Sequence, residues 1–462
     1  MRRGDAAGGC PHRPGSAMHR VVPRRLPFPD ERRGQPVEIA LDGGSVRGFT
    51  GESLAAALHA GGRRALGRSL KYHRPRAPFC FDGHCGGCLV RVDGVPNLRA
   101  CQLPCTSGSD LHSQNAYPSA EHDVLGAVDV FFRRGMDHHA LMTGTRVGNR
   151  LANRVVRTLS GVGRLPDRPG PIGGDVDELH ADVVVIGGGP AGLAAALAAR
   201  QAGAEVVIID EQTRAGGSLR VDPRTGPAEA EQRRAEVMAA GVNLFEGHTA
   251  IGVFPDHDGG TVVAAGGHAL LHLHARAWVW ATGGYSVNLP FADNDRPGVL
   301  AARAVGRLLL DHAIVAGDKV ALIVDHTSSE PVAYAAALAA ALHDAGAAVD
   351  IIDAAIALGV RGRGWVDAVI TRARTFDCDV VAVAAVPSPA AEGPRQHGCT
   401  VALSAAAGGF AVVADHDGTT AAAGVFAAGD VSGHVGPTVA AAAGTRAGLQ
   451  AARHAARAQA AP

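Results

Sequence analysis

The chain has 462 residues, with 47% hydrophobic residues, 19% charged residues and a formal net charge of zero at pH 7. This balance suits a soluble globular protein of roughly three domains. Because aromatic residues make up only 4% and no long basic stripe occurs, nucleic acid is not expected as a partner, and no apolar run is long enough for a transmembrane segment.

Residues 1–35 are rich in Arg, Pro and Gly, and we expect them to form a disordered N-terminal tail. Arg2-Arg3 is followed by no apolar segment, so we predict no export signal there, and Met18 is an alternative start. Eight cysteines in a chain of this length do not indicate a disulfide scaffold. We therefore expect a cytoplasmic location.

Residues 36–107 show the order of a β-grasp, ferredoxin-like domain. Residues 37–40 and 45–49 read as strands joined by a turn, and residues 52–60 read as a helix that leads into a cysteine-rich loop.

Four cysteines in this region predict a [2Fe–2S] cluster. Cys80, Cys85 and Cys88 have the C-x4-C-x2-C spacing of plant-type ferredoxins, and Cys101 returns on a hairpin whose turn is Asp93-Gly94. The glycine-rich loop lets the backbone fold tightly around the cluster. A zinc site usually shows paired C-x2-C knuckles, which this run lacks; reduced core thiols are the other alternative. A [2Fe–2S] cluster would carry electrons one at a time.

Residues 108–180 are expected to be a connector. Its arginines at 146, 150, 154 and 157 recur every three or four residues and so line one face of a helix. A solvated helix face is the preferred interpretation, with a docking surface for an acidic partner as the alternative.

A dinucleotide fingerprint opens the next unit at Ala181. A buried strand over 182–186 runs into a Gly-x-Gly-x-x-Gly turn and then an Ala-rich helix, where the backbone and the helix N-terminus can approach a pyrophosphate. The predicted residues of this turn are Gly187, Gly189, Pro190, Ala191 and Gly192. Asp210 follows the second strand and is the expected acceptor for the ribose hydroxyls, a role that the adjacent Glu211 could share.

The fingerprint alone does not separate FAD from NAD, but three later landmarks favour FAD. A Gly-Gly-Ser segment follows the second strand, an apolar strand ends in Ala-Thr-Gly, and a Gly-Asp pair precedes the last helix. The expected flavin contacts are Gly217, Ser218, Thr282, Gly283, Gly429 and Asp430. This order resembles the disulfide-reductase type of flavoprotein, so residues 181–299 and 406–462 should form the FAD-binding domain.

Residues 300–405 should form a second domain of the dinucleotide-binding type, within an α/β chain. Its glycine-free turn over 325–330 contains Asp325 and Glu330, which would repel a pyrophosphate. We therefore expect the fold of an NAD(P)-binding domain with a degraded NAD(P) site.

The run from residue 69 to 101, with the segment 114–139, resembles the alpha subunits of heteromeric amine oxidoreductases, a group that includes sarcosine oxidase, hydrogen cyanide synthase, opine oxidases and multi-subunit proline dehydrogenases. The resemblance implies that the chain works with an amino-acid-oxidase-like flavoprotein beta subunit that oxidises a C–N bond. This chain would pass the electrons through FAD and its cluster to an acceptor. A self-sufficient NAD(P)H-dependent reductase is the alternative, which the turn at 325–330 disfavours.

Other chemistry-bearing residues are given structural interpretations. A predicted strand contains three histidines, His268, His272 and His274. We interpret them as partly exposed strand residues, with a metal site as the alternative. His434 is expected near the flavin in a packing or hydrogen-bonding role. Cys105 is a spare thiol beside the cluster, and Cys378 and Cys399 are expected to be buried structural thiols. No catalytic acid–base pair is identified.

Overall fold

The computed structural model describes residues 23–69, 73–124, 147, 150, 174–254, 260–267 and 269–460. Within these ranges the chain is α/β, with a mixed ferredoxin-like sheet followed by two sheets of the dinucleotide-binding type. The predicted fold class is confirmed. His268, residues 1–22 and most of the arginine stripe of the connector lie outside the described residues; Arg150 is exposed on a helix.

The ferredoxin-like unit is a five-stranded sheet that packs on one short helix. Its elements are β1 (Arg24–Arg25), α1 (Asp30–Arg33), β2 (Pro36–Leu41), β3 (Gly44–Phe49), α2 (Leu54–Ala60), β4 (Gly67–Arg68), β5 (Pro75–Arg76), β6 (Leu89–Val92), β7 (Val95–Arg99) and β8 (Asp110–His112). The sheet order is β3-β2-β8-β6-β7. The hydroxyl of Ser53 accepts a hydrogen bond from the Ala56 N–H at the start of α2, and every residue of α2 is buried.

The hairpin that carries the fourth cysteine forms where the sequence predicts it. Asp93 and Gly94 both have positive φ angles, as a tight two-residue hairpin turn requires. The sequence predicts the return strand over residues 97–101. The observed strand β7 begins two residues earlier, at Val95, and ends at Arg99. Cys101 follows it and is brought back towards Cys88, whose carbonyl accepts a hydrogen bond from the Ala100 N–H.

The expectation of a disordered tail over residues 1–35 is wrong for its last part. Arg24–Arg25 pairs antiparallel with Ile314–Val315 of the second dinucleotide-type domain. Arg24 also forms an ion pair with Asp318, and Arg25 with the buried Glu52. These partners are far away in sequence, so composition alone does not reveal the ordering.

The first part of the FAD-type domain contains β9 (Asp175–Ile186), α3 (Pro190–Gln201), β10 (Val206–Asp210), α4 (Ser218–Val221), α5 (Gly226–Ala239), β11 (Asn243–Glu246), β12 (Thr249–Phe254), β13 (Thr261–Gly266), β14 (Ala269–Trp280) and β15 (Gly284–Tyr285). Its seven-stranded sheet has the order β11-β10-β9-β14-β13-β12, with the later strand β27 (Val425–Ala427) added beside β14. The first strand begins seven residues earlier than predicted, because β9 pairs with β14 along its whole length.

The second dinucleotide-type domain has a parallel sheet of order β16-β23-β18-β19 and an antiparallel three-stranded sheet, β20-β21-β22. Its elements are β16 (Val299–Ala301), α6 (Ala302–His312), β17 (Ile314–Val315), β18 (Lys319–Val324), α7 (Ser329–Asp344), β19 (Ala348–Asp353), β20 (Ala357–Arg361), β21 (Ala368–Thr371), β22 (Thr375–Asp377), β23 (Val380–Ala384) and β24 (Ser388–Pro389). The chain then returns to the FAD-type domain through α8 (Glu392–Gln396), β25 (Val401–Ser404), β26 (Gly409–Val412), β27 (Val425–Ala427) and α9 (Pro437–Ala460).

The cores are shared between units. One cluster of buried side chains joins the ferredoxin-like unit, including Ile39 and Leu58, to the second dinucleotide-type domain, including Leu308 and Leu322. In the FAD-type domain, the C-terminal helix α9 packs closely on α3. In the part of the chain that the structure describes, no helix has both the length and the apolar character needed to cross a membrane.

Replacing Gly444 by alanine should test the contact of α9 with α3. A Cβ at Gly444 would lie 2.0 Å from the carbonyl oxygen of Ala191. We expect Gly444→Ala to lower the free energy of unfolding by about 1–3 kcal/mol through overpacking, even though alanine is the better helix former. Thr445→Ala on the neighbouring exposed position is the control. Equal stability of the two variants in denaturant titration would contradict this packing argument.

Candidate functional site

A cavity of about 440 Å³ lies where β9, β10 and β14 end. With the exception of Gly192, all the residues predicted to contact FAD line it, and the cavity wall also contains Cys80, Asp82, His84, Arg303 and Arg307. Residues from both ends of the fingerprint domain, separated by more than 200 positions in sequence, are therefore brought to one site.

The fingerprint turn has the geometry of a pyrophosphate cradle. Gly187 has a φ of +105°, which favours glycine, and Gly189 directly precedes α3, which begins at Pro190. The first turn of α3 contains no acidic residue, so its positive dipole end is available to an anion. Gly192 lies behind the cradle, where a Cβ would come within 1.8 Å of the Gly187 carbonyl oxygen. Its role is the close packing of helix on strand.

The two carboxylates at the end of β10 have different surroundings. The Asp210 carboxylate is buried and accepts hydrogen bonds from the Gly188 N–H at 2.5 Å and the Gln212 N–H at 2.9 Å. Glu211 has a partly exposed side chain on the cavity wall, 3.1 Å from His84 Nε2. Asp210 therefore braces the glycine turn, while Glu211 presents a partly exposed carboxylate to the same cavity. The contact with the ribose hydroxyls stays a prediction for both residues.

Asp430, which also lines the cavity, is held by two basic side chains. Arg303 Nη2 lies 2.9 Å from Asp430 Oδ2, and His434 Nδ1 lies 3.2 Å from the same oxygen. Burial alone would raise the pKa of Asp430, but the hydrogen bond with His434 and the charge of Arg303 together lower it. The carboxylate is therefore ionised and fixed, and His434 has the hydrogen-bonding role expected for it.

The four cysteines of the ferredoxin-like unit converge as two pairs. Cys88 Sγ lies 3.4 Å from Cys101 Sγ, and Cys80 is in hydrogen-bonding contact with Cys85. The contact with Cys80 lowers the pKa of Cys85 to about 5, and the contact with Cys101 lowers the pKa of Cys88. Each pair is near enough to the other for their charges to interact.

This arrangement fits a binuclear cluster better than a single ion. A structural zinc needs four ligands around one point, whereas each iron of a [2Fe–2S] cluster takes two protein thiolates. Within the described ranges, no group of three or more histidine, cysteine or acidic side chains is arranged around one metal ion. Backbone N–H groups of Asp82 and Gly87 point at Cys80 Sγ and Cys85 Sγ, at 3.3 and 3.4 Å, as thiolates of a cluster require.

Helix α7, which follows β18 in the second dinucleotide-type domain, has an acidic residue in its first turn. Glu330 lies in the first turn of α7 and contacts Arg224 of the FAD-type domain, which also pairs with Asp222. The adjoining cavity, lined in part by Glu330 and Tyr334, measures only about 30 Å³. The acidic turn predicted from the sequence thus lies against a neighbouring domain.

The remaining candidate residues have structural surroundings. His272 Nδ1 and His274 Nε2 lie on one face of β14 and contact the two carboxylate oxygens of the exposed Glu178, at 2.9 and 2.8 Å. Cys105, Cys378 and Cys399 are buried, and burial raises the pKa of all three thiols. The two histidines are thus strand residues paired with a carboxylate, and the three cysteines are buried thiols, as the sequence predicts.

The fold and the two sites define the class of protein: a flavoprotein with two dinucleotide-type domains and an attached ferredoxin-like domain. A family model described as "2Fe-2S iron-sulfur cluster binding domain" matches residues 34–116, and one described as "FAD dependent oxidoreductase" matches residues 182–243. Both predicted cofactors, FAD and the [2Fe–2S] cluster, are confirmed at the level of the domains that bind them.

The chain is similar to the sarcosine oxidase subunit alpha of Rhizobium meliloti (strain 1021), with 33% identity over 357 residues that span 72% of this chain and 36% of that subunit. The corresponding subunit of Corynebacterium sp. (strain P-1) is 28% identical over 358 residues, 73% of this chain and 32% of that one. The chain thus spans about a third of the length of these relatives. The predicted resemblance to the FAD- and [2Fe–2S]-containing alpha subunits of amine oxidoreductases is thus confirmed over this part of their length.

Among solved structures, L-proline dehydrogenase from P. horikoshii superposes with a TM-score of 0.70 at 20% sequence identity, covering 94% of this chain and 75% of that one. This similarity supports the fold.

The cavity residues that were not identified from the sequence include two from the cluster loop and two from α6. Asp82 and His84 stand between two cluster cysteines, and Arg303 and Arg307 stand one turn apart on α6. Charged residues at 303, 307 and 311 recur every four residues and so lie on one face of a helix. This spacing is the sequence pattern from which the two arginines could have been predicted.

The buried Asp210 should make the stability of the cofactor-free chain depend on pH. Burial raises the pKa of Asp210 to about 7 from 3.8, although two N–H donors oppose the rise. Between pH 4 and 7 the folded chain holds a proton that the unfolded chain has released, so this group makes the free energy of unfolding fall as pH rises, by up to about 1.4 kcal/mol per pH unit.

Asp210→Asn should remove much of this fall in the free energy of unfolding between pH 4 and 7. Asp182→Asn, on the neighbouring strand, should leave the pH dependence unchanged. The free energy of unfolding is measured by denaturant titration at several pH values. An identical slope in Asp210→Asn and in the unmodified chain would show that Asp210 is already ionised in the folded state.

Proposed function

We propose that this chain is the electron-transferring alpha subunit of a complex that oxidises a C–N bond of an amine or amino acid. Oxidation of the substrate would take place on an amino-acid-oxidase-like flavoprotein beta subunit. The support for this proposal is the similarity to sarcosine oxidase alpha subunits, the two matching domain families, and the geometry of the two sites in this chain.

The observation that carries the proposal is that the cluster loop and the dinucleotide site share one wall. Cys80 lines the same cavity as Gly189 and Asp430. When bound, FAD and a [2Fe–2S] cluster supply the electron chemistry, with the cluster limited to one electron at a time. Adjacent sites of this kind suit a chain that relays electrons.

The roles proposed for this chain's own residues are binding and orientation. Cys80 and Cys85 would hold one iron, and Cys88 and Cys101 the other. The N-terminus of α3 would bind the FAD pyrophosphate, and Glu211 the adenosine ribose. Asp430, kept ionised by Arg303, would accept hydrogen bonds from the flavin end of the cofactor.

A self-sufficient NAD(P)H-dependent reductase is the second candidate, since the parallel four-stranded sheet of the second domain is intact. The contact between Glu330 and Arg224 speaks against it, because the helix N-terminus that should bind a pyrophosphate carries a carboxylate.

Cys88→Ser should remove the visible absorption of the cluster and most of the bound iron while FAD stays bound, because none of the fingerprint residues is altered. Cys105→Ser, which removes another buried thiol of the same domain, is the matched control and should keep the iron. Iron and acid-labile sulfide are measured together with flavin content. A normal iron content in Cys88→Ser would exclude this set of ligands.

Anaerobic titration with NADH or NADPH separates the two candidate functions. We expect neither nucleotide to bleach the flavin or cluster absorption of the purified chain, whereas dithionite bleaches both, because Asp325 and Glu330 repel the nucleotide phosphates. Rapid bleaching by a nicotinamide would establish a reductase that acts without a partner.

A further inference from the structure

Two residues of the cluster loop reach across to the dinucleotide cavity. Asp82 Oδ1 accepts a hydrogen bond from Arg307 Nη2 at 2.7 Å, and His84 Nε2 lies 3.1 Å from Glu211 Oε1. Arg307 and Glu211 both line the cavity. The loop between Cys80 and Cys85 is therefore connected to two groups on the wall of the FAD site.

The same loop residues are connected to the cluster ligands. The Asp82 backbone N–H donates to Cys80 Sγ at 3.3 Å. His84 immediately precedes Cys85 in the sequence. Hydrogen bonds to the sulfurs tune a cluster, and a shift of the loop changes them. A displacement of the Asp82 side chain would therefore also shift the Asp82 N–H that donates to Cys80 Sγ.

The cavity side of this contact is firmly held. The His84 ring lies 4.5 Å from the Tyr285 ring, between ring centroids, and the Tyr285 hydroxyl donates to Glu392 at 2.9 Å. Arg307 is also 3.5 Å from the side-chain oxygen of Gln212. These partners belong to three segments of the FAD-type domain, so the loop is positioned by the cavity wall on more than one side.

By contrast, the loop itself has little intrinsic rigidity. Gly83 and Gly86 have positive φ angles, and residues 84–86 are exposed. A glycine-rich loop loses much conformational entropy when it is ordered. If the first cofactor to bind restricts this loop, less conformational entropy is lost when the second cofactor binds.

We propose that Asp82 and His84 are positioning residues that couple the two sites, so that the bound cluster strengthens FAD binding and bound FAD stabilises the cluster. The effect is reciprocal by thermodynamic linkage. The inference rests on the proposed function, because it uses the cofactor sites assigned there.

The test is the dissociation constant of FAD, measured anaerobically on the full chain with the cluster present and after its removal by chelation. In the unmodified chain we expect FAD to bind about fivefold or more tightly with the cluster present, the lower range of typical couplings. The double variant Asp82→Asn/His84→Ala should bring this ratio close to one. His84→Gln, which keeps a donor for Glu211, should retain more of the ratio than His84→Ala.

Asp110→Asn is the matched control, since it makes the same acid-to-amide change on an exposed part of the ferredoxin-like domain. It should keep the ratio of the unmodified chain. A ratio that is unchanged in the double variant, or a ratio of one in the unmodified chain, would overturn the coupling.

A second measurement needs no variant and covers the case in which substitutions prevent cluster assembly. Electron paramagnetic resonance spectra of the dithionite-reduced cluster are compared in the deflavinated chain with and without added FAD. We expect a change in g values or line shape, and identical spectra would count against the coupling. A chain that binds neither iron nor FAD fails the proposed function, whereas a chain that binds both independently fails only this inference.

Discussion

One face of helix α6 connects the three parts of the molecule through ion pairs that are largely shielded from solvent. Arg303 pairs with Asp430, Arg307 with Asp82 and Asp311 with Arg220, and these three helix residues follow one another at intervals of one turn. The partners come from the C-terminal end of the FAD-type domain, from the cluster loop and from the segment after the fingerprint. Because a partly buried charge without its partner is costly, the loss of any one pair should disturb the junction of all three parts.

The position of the cluster follows from this junction. The Ala301 N–H, directly before α6, donates to the carbonyl oxygen of Phe79, directly before Cys80. A continuous hydrophobic core joins the ferredoxin-like unit to the second dinucleotide-type domain beneath this contact. The cluster loop is thereby held against the cavity wall by packing and by ion pairs together, as the proposed electron transfer between the two cofactors would need.

This junction also explains what the second dinucleotide-type domain does in the molecule. Its pyrophosphate position carries Glu330, which is paired with Arg224, yet its sheet and α6 remain intact. The domain supplies the core on which the ferredoxin-like unit packs and the helix that orients Arg303 and Arg307. Burial of apolar side chains, which does not depend on a nucleotide, stabilises this fold.

The sequence by itself determined the features that depend on local geometry: the cysteine spacing, the Asp93-Gly94 hairpin turn, the glycine fingerprint before α3 and the acidic turn before α7. Short-range steric rules specify these, so they can be read without the rest of the chain. Tertiary structure alone decided the different surroundings of Asp210 and Glu211, which both line the cavity: Asp210 is buried against the glycine turn, whereas Glu211 is partly exposed beside His84. It also decided the ordering of Arg24–Arg25 on β17 and the contact of Asp82 with Arg307, since these pairs lie more than 200 residues apart and meet only after the domains pack.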